Sequence, residues 1–356
     1  MQINRRKAKV IKIGNIHIGG NNPIAIQSMA KAETANIEKT LRQIKDLEKA
    51  GCEIVRLAVR NSLDARAIKK IKTKIKIPLV ADIHFNWRLA LEAIDNGADK
   101  IRLNPGNIYR KEEIREIAKA AKLARIPIRV GVNSGSVSAC NMRLVAAMVR
   151  STLEYIKILE GLGFYNIVIS LKASNVLDTV EAYRKIARLC DYPLHLGVTA
   201  TGLPLQGAIK SAVAVGVLLL EGIGDTIRIS LTDTPQEEVK VAKAILEAMG
   251  LRYFGPEIIS CPTCGRCEVD LIKIVRELEQ KLGTRYSPAC RPGRVLGTRP
   301  LKLAVMGCVV NGPGEAAQAD IGIAFGKKEG LLFKHGKPIR KASFDSCVNV
   351  LLKELR

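Results

Sequence analysis

Aromatic side chains are scarce in this 356-residue chain, at six Phe, seven Tyr and one Trp. No basic stretch is interleaved with them, which argues against a stacking surface for single-stranded nucleic acid. Long apolar runs are missing too. The longest, near residues 212–220, stops at Glu221 and is too short to cross a bilayer. The basic start, MQINRRKAKVIKIG, is not followed by an apolar stretch of signal-peptide length. A cytoplasmic protein without a membrane span is therefore expected. No segment has low complexity, and the length allows one or two domains with a sizeable core.

Acidic residues are in deficit, with 34 Asp and Glu against 57 Lys and Arg, a net charge of +23. The excess is spread along the chain rather than gathered in a tail. It suits an anionic partner, whether nucleic acid, an acidic protein or a phosphorylated substrate, or equally a lysine-rich surface without a specific role. The nine cysteines form an odd set. In a reducing compartment, clustered cysteines are metal ligands or redox groups more often than disulfides.

From residue 23 to about 250 a short β-rich run alternates with an amphipathic stretch of helical period. The runs are 23–29, 53–59, 77–84, 99–104, 127–133, 166–172, 193–199 and 226–231. Gly51, Gly97, Gly163 and Gly250 stand where helix C-caps are expected. Strands joined by helices form a parallel sheet, and eight such units match a (β/α)8 barrel in number and length. A doubly wound open sheet is the rival, but the residues after the first run, IQSMAKAET, are not a Gly-rich phosphate loop. The preceding segment, VIKIGNIHIGG, reads as a hairpin able to plug the barrel floor, with His17 in a structural role.

Each run carries polar groups toward its C-terminal end: Gln27 and Ser28, Arg56, Asp82 and His84, Arg102 and Asn104, Arg129 and Asn133, Ser170 and Lys172, His195 and Thr199, Arg228 and Ser230. In a barrel those ends converge on one mouth, where active sites are built. A single buried Arg is as readily an ion pair in the core. Polar residues on all eight ends point to a site, and its cations suit a phosphorylated molecule with more than one charge.

After residue 255 the repeat stops. A helix near 269–282, strands near 301–306, 320–325 and 330–334, and a terminal helix near 343–355 indicate a small α+β domain. The predicted division is 1–255 and 256–356. The second part holds Cys261, Cys264 and Cys267, then Cys290, then MGCVVNGPGE with Cys308. Cys-x2-Cys followed by further cysteines suits tetrahedral zinc or an iron–sulfur cluster. Cys52, Cys140, Cys190, Cys290 and Cys347 stand alone and read as small buried hydrophobes.

Six segments, ADIHF (81–85), IRLNPGN (101–107), SLKAS (170–174), IRISLT (227–232), SCPTCGR (260–266) and MGCVVNGPGE (306–315), carry a resemblance over nearly the whole chain. The sequence resembles the bacterial two-domain 4-hydroxy-3-methylbut-2-enyl diphosphate synthases of the non-mevalonate isoprenoid pathway. That resemblance implies a (β/α)8 barrel followed by an iron–sulfur domain. It implies reductive opening and dehydration of 2-C-methyl-D-erythritol 2,4-cyclodiphosphate, with a [4Fe–4S] cluster and electrons from flavodoxin or ferredoxin.

Carried over by motif, the cluster ligands are Cys261, Cys264, Cys308 and Glu315, and Cys267 is a bystander. A carboxylate binds iron more weakly than thiolate, so Glu315 can leave and open one iron to a substrate oxygen. The substrate-binding residues are Arg56, Arg102, Asn104, Arg129, Asn133, Ser170, Lys172, His195, Thr199, Arg228 and Ser230. Asp82 and His84 orient the substrate or move protons. Two positions depart from the family. Ala200 replaces a glutamate that is a candidate proton donor to the departing hydroxyl, and Asn175 replaces a common aspartate. A homodimer is also implied. The remaining alternatives are another barrel enzyme on a phosphorylated substrate with structural zinc, or a basic zinc-containing nucleic-acid-binding protein.

Overall fold

The computed structural model describes residues 3–137, 142–285, 301–310 and 312–355; Cys140 and Cys290 lie outside these. The chain divides into two units, Met1–Arg252 and Tyr253–Arg356.

Among the described residues of the first unit eight barrel strands alternate with eight helices: β1 (Ala25–Met29), α1 (Ile37–Ala50), β2 (Ile54–Val59), α2 (Ser62–Lys72), β3 (Leu79–Ile83), α3 (Arg88–Asp95), β4 (Lys100–Leu103), α4 (Lys111–Leu123), β5 (Ile128–Asn133), α5 (Leu144–Gly161), β6 (Ile167–Lys172), α6 (Val176–Leu189), β7 (His195–Leu196), α7 (Pro204–Leu220), β8 (Thr226–Ile227) and α8 (Pro235–Ala248). Helix α1 shows the local logic. Thr40, Leu41, Ile44 and Leu47 return on one face and are buried, Asn36 Oδ1 accepts from the Lys39 amide, and Gly51 closes the helix at φ 97°. Gly97, Gly163 and Gly250 also take positive φ, as C-cap glycines do.

All eight strands run parallel, in the order β6-β5-β4-β3-β2-β1-β8-β7. A single bridge, Ile169 to Leu194, joins β6 to the entry of β7 and closes the ring. The structure is thus the expected barrel. Strands β7 and β8 are shorter than their sequence runs, with two residues each. This thin seam is tied from outside. Asp225 accepts from the Leu194 amide at 2.8 Å and from Arg5 at 2.9 Å. Arg6 donates to the Cys190 and Tyr192 carbonyls at 2.7 and 2.5 Å.

A two-stranded hairpin, Ile11–Ile13 with Ile16–Ile18, precedes β1. Its Ile11, Ile13 and Ile18 pack on Ala25, Ile54, Val80 and Val168, each the first or second residue of a barrel strand. The hairpin therefore stoppers the N-terminal end of the barrel. His17 lies on its exposed outer face.

The second unit contains β9 (Glu257–Ser260), α9 (Leu271–Arg285), β10 (Lys302–Met306), α10 (Gly312–Ala317), β11 (Ile321–Phe325), β12 (Gly330–Lys334), β13 (Lys337–Ala342) and α11 (Cys347–Glu354). Its sheet runs β9-β10-β11-β12-β13; β9, β10 and β11 are parallel and the last two pairings antiparallel. Alternation decides the packing. Leu303 and Val305 of β10 face α9 and α11, whereas Ala304 and Met306 cluster with Ala316 of α10. Among the described residues no helix is long and apolar enough to cross a membrane.

Candidate functional site

The barrel strands put alternate residues on one face. Their register sets Asp82 beside Arg102 and Arg102 beside Arg129. Asp82, Arg102, Arg129, Ser170, Lys172 and His195 are all buried, as is Asn104 just past β4. Asp82 holds the centre, with Oδ1 3.3 Å from Arg102 Nη1 and Oδ2 3.6 Å from Arg56 Nε. Burial alone would raise the Asp82 carboxyl. The guanidiniums of Arg56, Arg102 and Arg129 outweigh it and hold the group below the usual carboxylate range.

Two residues not singled out from sequence belong to the same interior. Lys100, two positions before Arg102, is wholly buried, with Nζ 3.4 Å from Gln27 Oε1. Glu238, in the first turn of α8, accepts from Ser28 Oγ at 3.0 Å and from the Leu231 amide at 3.2 Å, and lies 3.4 Å from Arg228 Nη2. The parity of β4 was signal enough for Lys100. Glu238 had no sequence signal, because helix α8 brings it from outside the strand pattern.

Six cations, Arg56, Lys100, Arg102, Arg129, Lys172 and Arg228, thus face two buried carboxylates, Asp82 and Glu238. Burial and mutual repulsion push Lys100, Arg129 and Lys172 well below their ordinary values. Arg228 is lowered to about 10 by the same burial and by Arg56. Several buried donors have no partner among the described residues: Arg102 Nε, Arg129 Nε and Nη1, and Arg228 Nε. Unpaired buried donors are costly, so the interior is arranged for an anion with several acceptor oxygens.

The other predicted residues sit around this cluster. His195 is fully buried with neither ring nitrogen paired among the described residues, and burial with the neighbouring Arg129, Lys172 and Lys100 drives its pKa well below the ordinary value. Asn104 Oδ1 accepts from Ser136 Oγ at 3.1 Å, and the same hydroxyl accepts from the Asn133 amide at 3.3 Å. His84 and Thr199 are half-buried, and the Thr199 amide bonds the Ala173 carbonyl. Ser230 accepts a short hydrogen bond from Arg228. Ala200 is exposed, at φ 53°, with no acid in its place. Asn175 caps α6 through Oδ1, a task an aspartate performs equally well.

In the second unit Cys261 follows β9 directly and Cys308 lies two residues past β10, its parallel neighbour. The Gly307 amide points at Cys261 Sγ, 3.3 Å away. A Cβ on Gly307 would come within 2.4 Å of Cys267 Sγ, so this glycine lets the two cysteine loops meet. Cys264 is exposed, Cys261 and Cys308 are half-buried, and Glu315 is exposed in the first turn of α10. Cys267 Sγ turns to the Val269 carbonyl at 3.2 Å and packs beside the α9 core. Among the described residues no three His, Cys, Asp or Glu side chains already form a metal cage. The donor set still fits an iron–sulfur group. The thiols sit on adjoining loops at parallel strand ends and the carboxylate on the helix that follows one of them, accessible to a ligand. The solitary Cys52 and Cys347 are instead buried, and burial raises the Cys52 thiol to about 12.

A (β/α)8 barrel lined with buried cations, followed by a cysteine-bearing α/β unit, defines a two-domain enzyme acting on an anionic small molecule. The description "GcpE TIM-barrel domain" matches residues 8–243, and "GcpE protein C-terminal domain" matches 257–356. The chain belongs to the GcpE family. It is 51% identical over 353 residues to the 4-hydroxy-3-methylbut-2-en-1-yl diphosphate synthase (flavodoxin) of Fusobacterium nucleatum, covering 98% of this chain and 96% of that one. The protein of that name from Caldanaerobacter subterraneus is 52% identical over 356 residues, covering 99% and 97%. Among solved structures, the dihydropteroate synthase of Stenotrophomonas maltophilia is similar with a TM-score of 0.53 at 13% identity, covering 69% of this chain and all of that one. That of Yersinia pestis in complex with a sulfonamide gives 0.51 at 11%, covering 68% and 100%. These two likenesses concern the barrel fold alone.

Proposed function

We propose that this protein is a 4-hydroxy-3-methylbut-2-en-1-yl diphosphate synthase, converting 2-C-methyl-D-erythritol 2,4-cyclodiphosphate into the open-chain diphosphate. Two electrons and two protons enter and one water leaves. The observation that carries the reading is the barrel interior, where six cations, four of them buried, outnumber two buried carboxylates. Full-length similarity to synthases of that name supports the same substrate.

Arg56, Arg102, Arg129, Lys172 and Arg228 would grip the phosphate oxygens, the arginines in forked pairs. Asn104, Asn133, Ser170, Thr199, Ser230 and His195 would fix the carbon skeleton. Asp82 stays ionised between its guanidiniums and so holds Arg56 and Arg102 in place rather than donating a proton. That leaves His84, half-buried beyond β3, as the group at the mouth suited to moving one. Cys261, Cys264, Cys308 and Glu315 would hold a [4Fe–4S] cluster. When bound, such a cluster supplies electrons and a Lewis-acidic iron for breaking a carbon–oxygen bond. The electron donor in this reading is flavodoxin, as in the relatives' names, or ferredoxin. The active form is a homodimer, which gel filtration tests.

The decisive experiment is turnover of the cyclodiphosphate under strictly anaerobic conditions with a chemical reductant. Formation of the open-chain diphosphate is expected. An iron-replete protein that leaves the cyclodiphosphate intact refutes the assignment.

A further inference from the structure

Two residues on the inner face of the barrel have no side chain, Gly131 of β5 and Gly197 after β7. Gly131 stands in register with Ser170. A Cβ on Gly131 would lie 2.6 Å from Arg102 Nε and 3.2 Å from Ser170 Oγ, the first closer than real Cβ contacts come. Arg102 is 4% exposed, and its Nε, which a Cβ on Gly131 would meet, has no partner among the described residues. The same residue also receives the guanidinium, since Arg102 Nη2 donates to the Gly131 carbonyl at 2.9 Å. Asp82 takes the Nη1 side at 3.3 Å. The guanidinium is therefore pinned on two sides, by the Asp82 carboxylate and by a position that contributes only backbone. At Gly197 a Cβ would lie 2.7 Å from Lys172 Nζ, but the Arg228 carbonyl is 2.3 Å from the same point. A substitution there would mix side-chain displacement with backbone strain.

We propose that Gly131 is a positioning residue for the anion site: its bare inner face and its carbonyl together set where Arg102 meets a diphosphate. This rests on reading the barrel mouth as the diphosphate site. An added methyl drives Arg102 off its two acceptors. A ligand must then be gripped by a guanidinium that is no longer pre-oriented. Gly131 has an ordinary negative-φ strand conformation, so Ala at this position is free of the left-handed penalty.

The test is calorimetric titration of the full chain with inorganic pyrophosphate, which needs neither reductant nor turnover. Gly131→Ala is expected to weaken binding about tenfold, a coupling typical of residues in contact. In an Arg102→Ala background the same change is expected to cost nothing, because the side chain it displaces is gone. Gly161→Ala, where a Cβ meets nothing within 4 Å, is expected to bind as the parent does. Equal losses in both backgrounds, or no loss in the parent, overturn the proposal. Should Gly131→Ala alone fail to fold, the double variant decides: it is expected to fold and bind like Arg102→Ala, and its unfolding refutes the proposal. A parent protein that ignores pyrophosphate sinks the reading of the barrel mouth itself, and the proposal with it.

Discussion

Arg102 Nη1 lies 3.3 Å from Asp82 Oδ1, and both side chains are almost wholly buried. Breaking a buried pair by removing one charge leaves the other uncompensated. Asp82→Asn is therefore expected to destabilise the barrel by about 3–5 kcal/mol, and to raise KM by misplacing Arg56 and Arg102. Urea unfolding and steady-state kinetics check the two effects separately.

The same carboxylate sets an acid limit. Its folded-state pKa is lowered from the ordinary 3.8, so its stabilising contribution is complete above that pH and is lost as pH falls further, through the folded value. Asp82→Asn should flatten this part of the stability profile below about pH 4, measured as Tm against pH.

His195 acts over a higher range. Its folded pKa lies well below 6.5, so the unfolded chain binds a proton near neutrality that the folded chain refuses. Stability is expected to fall as pH drops below about 6.5, and His195→Gln should reduce that slope. An unchanged slope would mean that His195 takes up a proton in the folded barrel.

The thiols separate by environment. Cys308→Ser is expected to strip iron and sulfide from anaerobically purified protein and remove the broad visible absorption, whereas Cys267→Ser should retain both. The opposite pattern would move the ligand set to the sulfur that here faces Val269.

The seam between β6 and β8 depends on Asp225, which is 2% exposed and bonded to Leu194 and Arg5. Asp225→Ala should cost about 2–4 kcal/mol, since it strands a buried amide and a guanidinium together. Hydrogen exchange should quicken first around residues 194–196 and 226–227.

Much of this was legible in the sequence, because buried parallel strands announce themselves. Eight apolar runs framed by helical periods pointed to the barrel, and the polar groups toward their C-terminal ends, Arg56, Asp82, Arg102 and Lys172 among them, pointed to its mouth. What escaped has physical reasons. Strands β7 and β8 end after two residues each, and hydropathy does not mark where pairing stops. Strand β13, KPIRKA, is an exposed edge whose Lys, Arg and Pro guard against further pairing, so it lacks the alternation of a half-buried strand. Glu238 reaches the site from a helix. Gly131 acts through what it lacks, which a scan for functional groups passes over. The cluster ligands are what the family resemblance implies, and chain geometry adds only the adjoining loops that bring Cys261 near Gly307.

The isoleucine hairpin beneath the barrel has a kinetic consequence. With that end sealed by Ile11, Ile13 and Ile18, molecules enter and depart through the same doorway. A spent molecule must back out before a fresh one goes in, and in the proposed reading both place their phosphates on the same arginines. Inhibition by the released diphosphate should therefore be competitive with the incoming one, and crowding by either should slow exchange rather than chemistry.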